Sequence, residues 1–129
     1  MRIFVNKWFA KFAKDEKIDD TKLCEAVSDA EKGLIDADYG GGVIKQRVSR
    51  PNEGKSGGYR TIILYRQADK SFFVYGFAKN DRQNITKSEE LAFKRLAKHM
   101  LSLTEQDIVK LLQTGALKPV DCHEKSKNI

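Results

Sequence analysis

The run Val43-Ile44-Lys45-Gln46-Arg47-Val48-Ser49 sets Val43, Lys45, Arg47 and Ser49 against Ile44, Gln46 and Val48. That period of two predicts a half-buried strand. Two more runs follow, Tyr59-Arg60-Thr61-Ile62-Ile63-Leu64-Tyr65-Arg66-Gln67 and Ser71-Phe72-Phe73-Val74-Tyr75-Gly76-Phe77-Ala78. Both are rich in β-branched and aromatic residues, and Ala68-Asp69-Lys70 between them predicts a tight hairpin. Three antiparallel strands are therefore expected at the centre of the chain. Gly40-Gly41-Gly42 leads in as a turn, and Pro51 to Gly58 reads as a loop. Alternation along the last strand places Phe73, Tyr75 and Phe77 on one face, which favours a core role over base stacking. Tyr59 and Tyr65 are the freer stacking candidates.

Helical spacing appears on both sides of these strands. Before them, Met1 to Val5 predicts a short strand, and Asn6 is suited to cap a helix carrying Trp8, Phe9, Phe12 and Ala13. Asp19 and Asp20 cap a second helix, whose Leu23, Ala26, Val27 and Ala30 repeat at i, i+3, i+4 and i+7. Gly33 stops it. The short link from Lys17 to Asp19 predicts an antiparallel helical hairpin. After the strands, Ser88 to Leu101 predicts a helix with Ala92, Phe93, Leu96, Ala97 and Met100 on one face. Ser102 or Thr104 can cap a further helix through Gln113, with Gly115 as its stop. Leu117 to Val120 suits a final edge strand, where Pro119 is tolerated. The expected class is α+β: a helical hairpin on a small antiparallel sheet, with C-terminal helices. Residues 1–122 form one expected domain and the polar residues 123–129 a frayed tail.

Composition narrows the function classes. The chain has 129 residues, 33% charged, with a formal net charge of +6 and a sequence pI of about 9.3. Such basicity favours an acidic partner: nucleic acid, anionic membrane or acidic protein. No stretch approaches the length of an apolar membrane span, and the polar N-terminus does not read as a secretory signal. The two cysteines, Cys24 and Cys122, do not define a disulfide framework, so the expected compartment is cytosolic and reducing.

The positive charge is concentrated. Between Val43 and Arg82 there are nine basic residues (Lys45, Arg47, Arg50, Lys55, Arg60, Arg66, Lys70, Lys79 and Arg82) against Glu53, Asp69 and Asp81. That balance of +6 equals the charge of the whole chain. Lys45 and Arg47 lie two apart and share a strand face. Arg60 begins the next strand and Lys79 follows the last, so these ends can approach one another, with Lys55 projecting from the loop beside them. A cluster of this kind binds phosphate by charge and by forked hydrogen bonds. A solvated basic face without a ligand is the competing reading.

Other motifs carry less. Gly54-Lys55-Ser56 resembles the end of a P-loop, but Ser49 stands where its first glycine belongs, and a strand follows in place of a helix. His99 reads as a surface or half-buried helical residue. Cys122-His123 lacks a second ligand pair for a metal, and Cys24 reads as core.

The stretches Val43-Ile44-Lys45-Gln46-Arg47, Arg50-Pro51, Gly54-Lys55-Ser56-Gly57-Gly58-Tyr59-Arg60 and Phe77-Ala78-Lys79-Asn80 resemble the RelE/HigB-like toxins of bacterial type II toxin–antitoxin systems. The likeness extends over most of the chain, including the helices before and after the sheet. It implies a RelE-like fold and a metal-free mRNA endonuclease acting in the ribosomal A site, without a cofactor. It also implies a cognate antitoxin, often one with a helix-turn-helix DNA-binding domain in the HigB branch. Well-known members carry an arginine near the place of Asn80 and a tyrosine near Thr86, both absent here, which leaves the general base and acid unassigned.

Metal-free RNA cleavage uses the 2′-hydroxyl as nucleophile and needs a base, cations around the strained phosphate and an acid. Arg60, Lys55 and Lys79 are the candidate catalytic residues. Arg60 would stabilise the phosphorane-like charge, and a lysine among like charges could move a proton. Lys45, Arg47, Arg50, Asn80 and Arg82 are the candidate RNA- and phosphate-binding residues. A non-nucleolytic ParE-like toxin and a plain RNA-binding module are the alternatives, because phosphate binding serves all three.

Overall fold

A computed structural model describes residues 1–50 and 58–122. Lys55, most of the expected glycine loop and the expected tail from His123 lie outside the described residues. Strand β1 (Arg2–Asn6) runs into α1 (Lys7–Asp15), and α2 (Asp20–Glu31) follows. Next come β2 (Ala37–Gly40), β3 (Val43–Val48), β4 (Tyr59–Arg66) and β5 (Lys70–Ala78). Helices α3 (Lys87–Met100) and α4 (Glu105–Thr114) precede the edge strand β6 (Leu117–Pro119).

The helix ends follow from their caps. Asn6 accepts from the Phe9 N–H and Asp19 from the Lys22 N–H, each satisfying a backbone donor that the helix leaves over. Thr86 with Glu89, and Thr104 with Asp107, form reciprocal capping boxes at α3 and α4. Gly115 ends α4 at φ +80°, the left-handed conformation expected of a stop glycine.

The strands form one six-stranded sheet in the order β2-β3-β4-β5-β1-β6. The central β3-β4-β5 meander is antiparallel, as the alternation predicts. The sheet is nevertheless larger than expected, and mixed, because β1 pairs with β5 in parallel. It also gains β2, a four-residue strand that pairs with β3 across the glycine turn. Gly42 in that turn sits at φ +83°, and a Cβ there would come within 2.6 Å of Leu101 Cδ1. The turn therefore needs glycine both for its backbone and for the close approach of the segment after α3.

Each face of the sheet has its own core. Ile3, Val5, Ile44, Val48, Ile63 and Phe73 meet Phe9 and Ala13 of α1 and Leu23, Ala26, Val27 and Ala30 of α2. α1 lies mainly over β5, β1 and β6, and α2 over β3, so each helix takes its main contacts from the sheet. On the other face, Phe4, Val43, Ile62, Leu64 and Phe72 pack against Ala97, Leu101 and Ile108. Each large side chain buried in these layers contributes about 1.5–3 kcal/mol of transfer free energy.

Two aromatic expectations change. A register shift between β4 and β5 pairs Ile62 with Tyr75 but Ile63 with Phe73, leaving Val74 as the extra residue of a β-bulge. Phe73 consequently faces α1 and α2, while Tyr75 packs with the opposite core, so these residues do not share a face. Tyr59 is buried, not free to stack, with its ring edge-on to Phe12 at 5.7 Å. Tyr65 packs against the α1–α2 core, and its buried hydroxyl has no hydrogen-bond partner among the described residues. Ala92 of α3 is exposed, although helical spacing groups it with Phe93 and Leu96.

The cysteines, whose pairing the sequence leaves open, are joined in a disulfide between α2 and the segment after β6. Cys122 is thereby engaged by sulfur, which removes the metal-ligand alternative for it. Nearby, the Val120 N–H donates to the Ile3 carbonyl and the Asp121 N–H to Asp20 Oδ2. No described helix is long and apolar enough to cross a membrane.

Candidate nucleic-acid interface

The strand register assembles the basic residues. Arg47 on β3 lies directly opposite Arg60 on β4, and Arg60 lies opposite Phe77 on β5. One row across three strands therefore carries Arg47, Arg60 and Phe77 on a single face. The next row carries Lys45, Ile62 and Tyr75. It is the face covered further along by α3 and α4, whose core includes Val43, Ile62 and Leu64. The row lies at the sheet end where β3 finishes, β4 starts and β5 finishes, as the strand-end reading expects.

Directly opposed residues in an antiparallel pair sit about 4.5–5.5 Å apart at Cβ, so two facing arginines repel. Asp36 answers that repulsion. Its Oδ1 accepts a hydrogen bond from Arg47 Nε at 2.9 Å. Its Oδ2 lies 3.6 Å from Arg60 Nε and 3.6 Å from Lys45 Nζ. The Asp36 side chain is 12% exposed, Lys45 13% and Arg60 8%, whereas Arg47 is 48% exposed. Arg47 is thus the open member of the group, and Arg60 stands behind it.

Asp36 is held by Gln46, which is almost fully buried on the other face of β3. Gln46 Oε1 accepts from the Asp36 N–H at 3.1 Å. Gln46 Nε2 donates to the carbonyls of Ala26 and Leu34 at 2.9 and 2.8 Å. One amide side chain thereby ties α2 and the α2–β2 linker to β3. Asp36 and Gln46 escape a sequence reading whose charge count begins at Val43. The available signal was β2: once Ala37 pairs with Lys45 across the glycine turn, Asp36 falls beside Gln46.

The remaining candidates divide. Arg82 forms a two-pronged pair with Glu89, donates from Nη1 to the Tyr75 hydroxyl at 3.1 Å, and lies 5.4 Å above the Phe77 ring. The Arg82 hydrogen bonds hold the Glu89 carboxyl down to about 2, helped by the Thr86 backbone, and raise Arg82 above its ordinary range. Arg82 therefore borders the row while being held as part of the fold. Arg50 lies on the α1–α2 side instead, 4.9 Å over the Tyr59 ring, with Nε donating to the Tyr59 hydroxyl. That hydroxyl donates in turn to Glu16 Oε1 at 2.8 Å. Burial raises the Tyr59 pKa, with Arg50 opposing and Glu16 adding to the rise.

Lys79 and Asn80 are exposed just beyond β5, where the Lys79 N–H donates to the Gly58 carbonyl at 3.2 Å. Thr86, near which the resemblance leads one to expect a tyrosine, is engaged as the α3 cap. Lys55 cannot be added to this geometry, since it falls outside the described residues. The described arrangement offers one exposed guanidinium backed by a lysine and a second arginine, which suits an oxyanion at the sheet surface.

A family model described as the RelE toxin of the RelE/RelB toxin–antitoxin system matches residues 1–120. No curated protein and no solved structure matches the chain.

Proposed function

The chain belongs to the RelE family of toxins, the toxin half of a toxin–antitoxin pair, and on that premise we propose that it cleaves mRNA on translating ribosomes. Family membership brings an antitoxin partner of the RelB type. We propose further that residues 1–122 act as one toxin domain in the cytoplasm, and that the antitoxin carries a helix-turn-helix DNA-binding domain. The observation that carries the nuclease reading is the apposition of Arg47 and Arg60 on one sheet face, with Lys45 in the adjoining row.

The proposed reaction is attack of a 2′-hydroxyl on the adjacent phosphorus, which needs concentrated positive charge as the phosphorane forms. Arg47 meets a phosphate directly, through its exposed guanidinium. Lys45 adds charge beside it. Arg60, buried beside it in the same row, stabilises the phosphorane-like charge through its field. Lys79 and Asn80 extend the contact at the same sheet end. Arg82 and Arg50 contribute through their field more than by contact, because each is engaged within the fold. Lys55 and Lys79 are the lysines proposed to move a proton. No residue is assigned as base or acid beyond them.

Toeprinting of mRNA on programmed ribosomes tests the reading. Codon-phased cuts are expected with the wild-type chain. Growth arrest without such cuts would remove the nuclease and leave a toxin of another kind. Arg60→Ala is expected to lose cleavage while keeping most antitoxin binding, and full toxicity in that variant would defeat its role.

A further inference from the structure

We propose that Asp36 is the positioning residue of the cationic site. Its carboxylate holds Arg47 and Arg60 side by side against their repulsion, and it competes with RNA phosphate for the same cations. The inference rests on the RNA-cleaving reading above and assigns a role that the reading itself does not need.

Asp36 is placed from two directions. Its two oxygens engage three cations, Arg47 at 2.9 Å and Arg60 and Lys45 at 3.6 Å. Its backbone is fixed independently by Gln46, whose amide also fastens the carbonyls of Ala26 and Leu34. Attraction between charges therefore does not have to find the geometry unaided, because the linker delivers the carboxylate to the arginine pair. The bond to Arg47 uses Nε, which leaves the two Nη groups as a fork for a phosphate oxygen pair.

Two opposite consequences follow from removing the charge alone. Three cations and one carboxylate give the group a net charge of +2, and Asp36→Asn raises this to +3. A more positive site binds phosphate more tightly and releases more counterions. The same change removes the carboxylate that draws Arg47 towards Arg60, so bound RNA meets a less organised site. Misplacement of about 1 Å at such a site costs up to about a hundredfold in rate. Asp36 thus trades affinity for order, and a residue with a merely structural role would not move the two quantities in opposite senses.

The test uses the full chain. Binding of a short labelled single-stranded RNA is measured across a salt series, and cleavage is followed on programmed ribosomes at saturating toxin. Asp36→Asn is expected to bind the RNA about three- to tenfold more tightly at low salt, with a salt slope steeper by about 0.7. Its saturating cleavage rate is expected to fall about tenfold or more. Asp36→Glu, which restores the charge, should return the slope to the wild-type value and recover part of the rate.

Unchanged affinity and slope in Asp36→Asn, or an unchanged cleavage rate, would overturn the proposal. Should Asp36→Asn fail to fold, Asp36→Asn/Lys45→Met keeps the net charge at +2 and is compared with Lys45→Met. The double variant must then cleave more slowly than the single one, and equal rates overturn the proposal. Failure of the underlying reading looks different: the wild-type chain itself would then give no codon-phased cuts on programmed ribosomes, whatever the Asp36 variants do to RNA affinity.

Discussion

Arg82 and Glu89 meet as a fork, with Nη2 donating to Oε1 at 2.6 Å and Nη1 to Oε2 at 3.1 Å. Glu89 Oε1 also accepts the Thr86 N–H at 2.7 Å, so one carboxylate caps α3 and anchors the segment after β5. Both side chains are about one-third exposed, which screens the pair. Glu89→Gln keeps an acceptor for the cap and is expected to cost about 1 kcal/mol. The Glu89 carboxyl is depressed in the folded chain, to about 2 from an ordinary 4.5. Its contribution is therefore fully present above the unfolded value and lost as pH falls through the folded one. Denaturant unfolding should show the wild-type advantage over Glu89→Gln shrinking between about pH 5 and pH 2. An advantage independent of pH in that window would contradict the pairing.

Arg47 and Arg50 are three residues apart yet engage different sides of the sheet, one with Asp36 and the other with Tyr59. Arg47→Ala should weaken binding of single-stranded RNA and flatten its salt slope by about 0.7. Arg50→Ala should change the slope less, while lowering the melting temperature through the lost contact with Tyr59. Equal slopes in the two variants would show that both arginines meet phosphate.

Gly42 stands at a positive φ with Leu101 within reach of any added Cβ. Gly42→Ala must shift the end of α3 or strain the turn, and is expected to destabilise by about 1–3 kcal/mol. Leu101→Ala in the same background should relieve the contact but not the backbone strain. Thermal unfolding of the two variants separates the contributions.

The disulfide spans 98 residues of sequence and ties α2 to the chain after β6. Closing so long a loop restricts the unfolded chain, so Cys24→Ser is expected to cost about 2–4 kcal/mol. A thiol reductant should lower the wild-type unfolding midpoint to near that of the variant, and leave the variant unchanged. Insensitivity of the wild type to reductant would show that the bond is not formed in solution.

The sequence made the local features legible because each rests on nearest neighbours. Asn6, Asp19, Thr104 and Gly115 mark helix ends by capping chemistry alone, and β3 to β5 show in their composition. What escaped depends on distant partners or on single-residue slips. Ala37-Asp38-Tyr39-Gly40 has no β-branched residue, so β2 shows only through its pairing with β3. The parallel β1–β5 pair joins segments about seventy residues apart, and no local pattern announces it. Arg47 and Arg60 were legible as cations of one surface. Their apposition needed the register, and Asp36 needed β2. Tyr59 looked available because a strand-end tyrosine gives no sign of the Glu16 and Arg50 partners that bury it.

The extra residue at Val74 makes β5 a joint between two halves of opposite parity. Residues before it are zipped to β1, and those after it present Tyr75 and Phe77 beneath Arg82. Deleting Val74 would restore unbroken alternation. It would leave Tyr75 and Phe77 facing as they do, whereas keeping Val74 in an unbulged register would turn both to the α1–α2 face and take the aromatic seat away from Arg82. The side of the sheet on which the aromatic and cationic rows coincide is thus decided by a count of one in the backbone, independently of the charges it brings together.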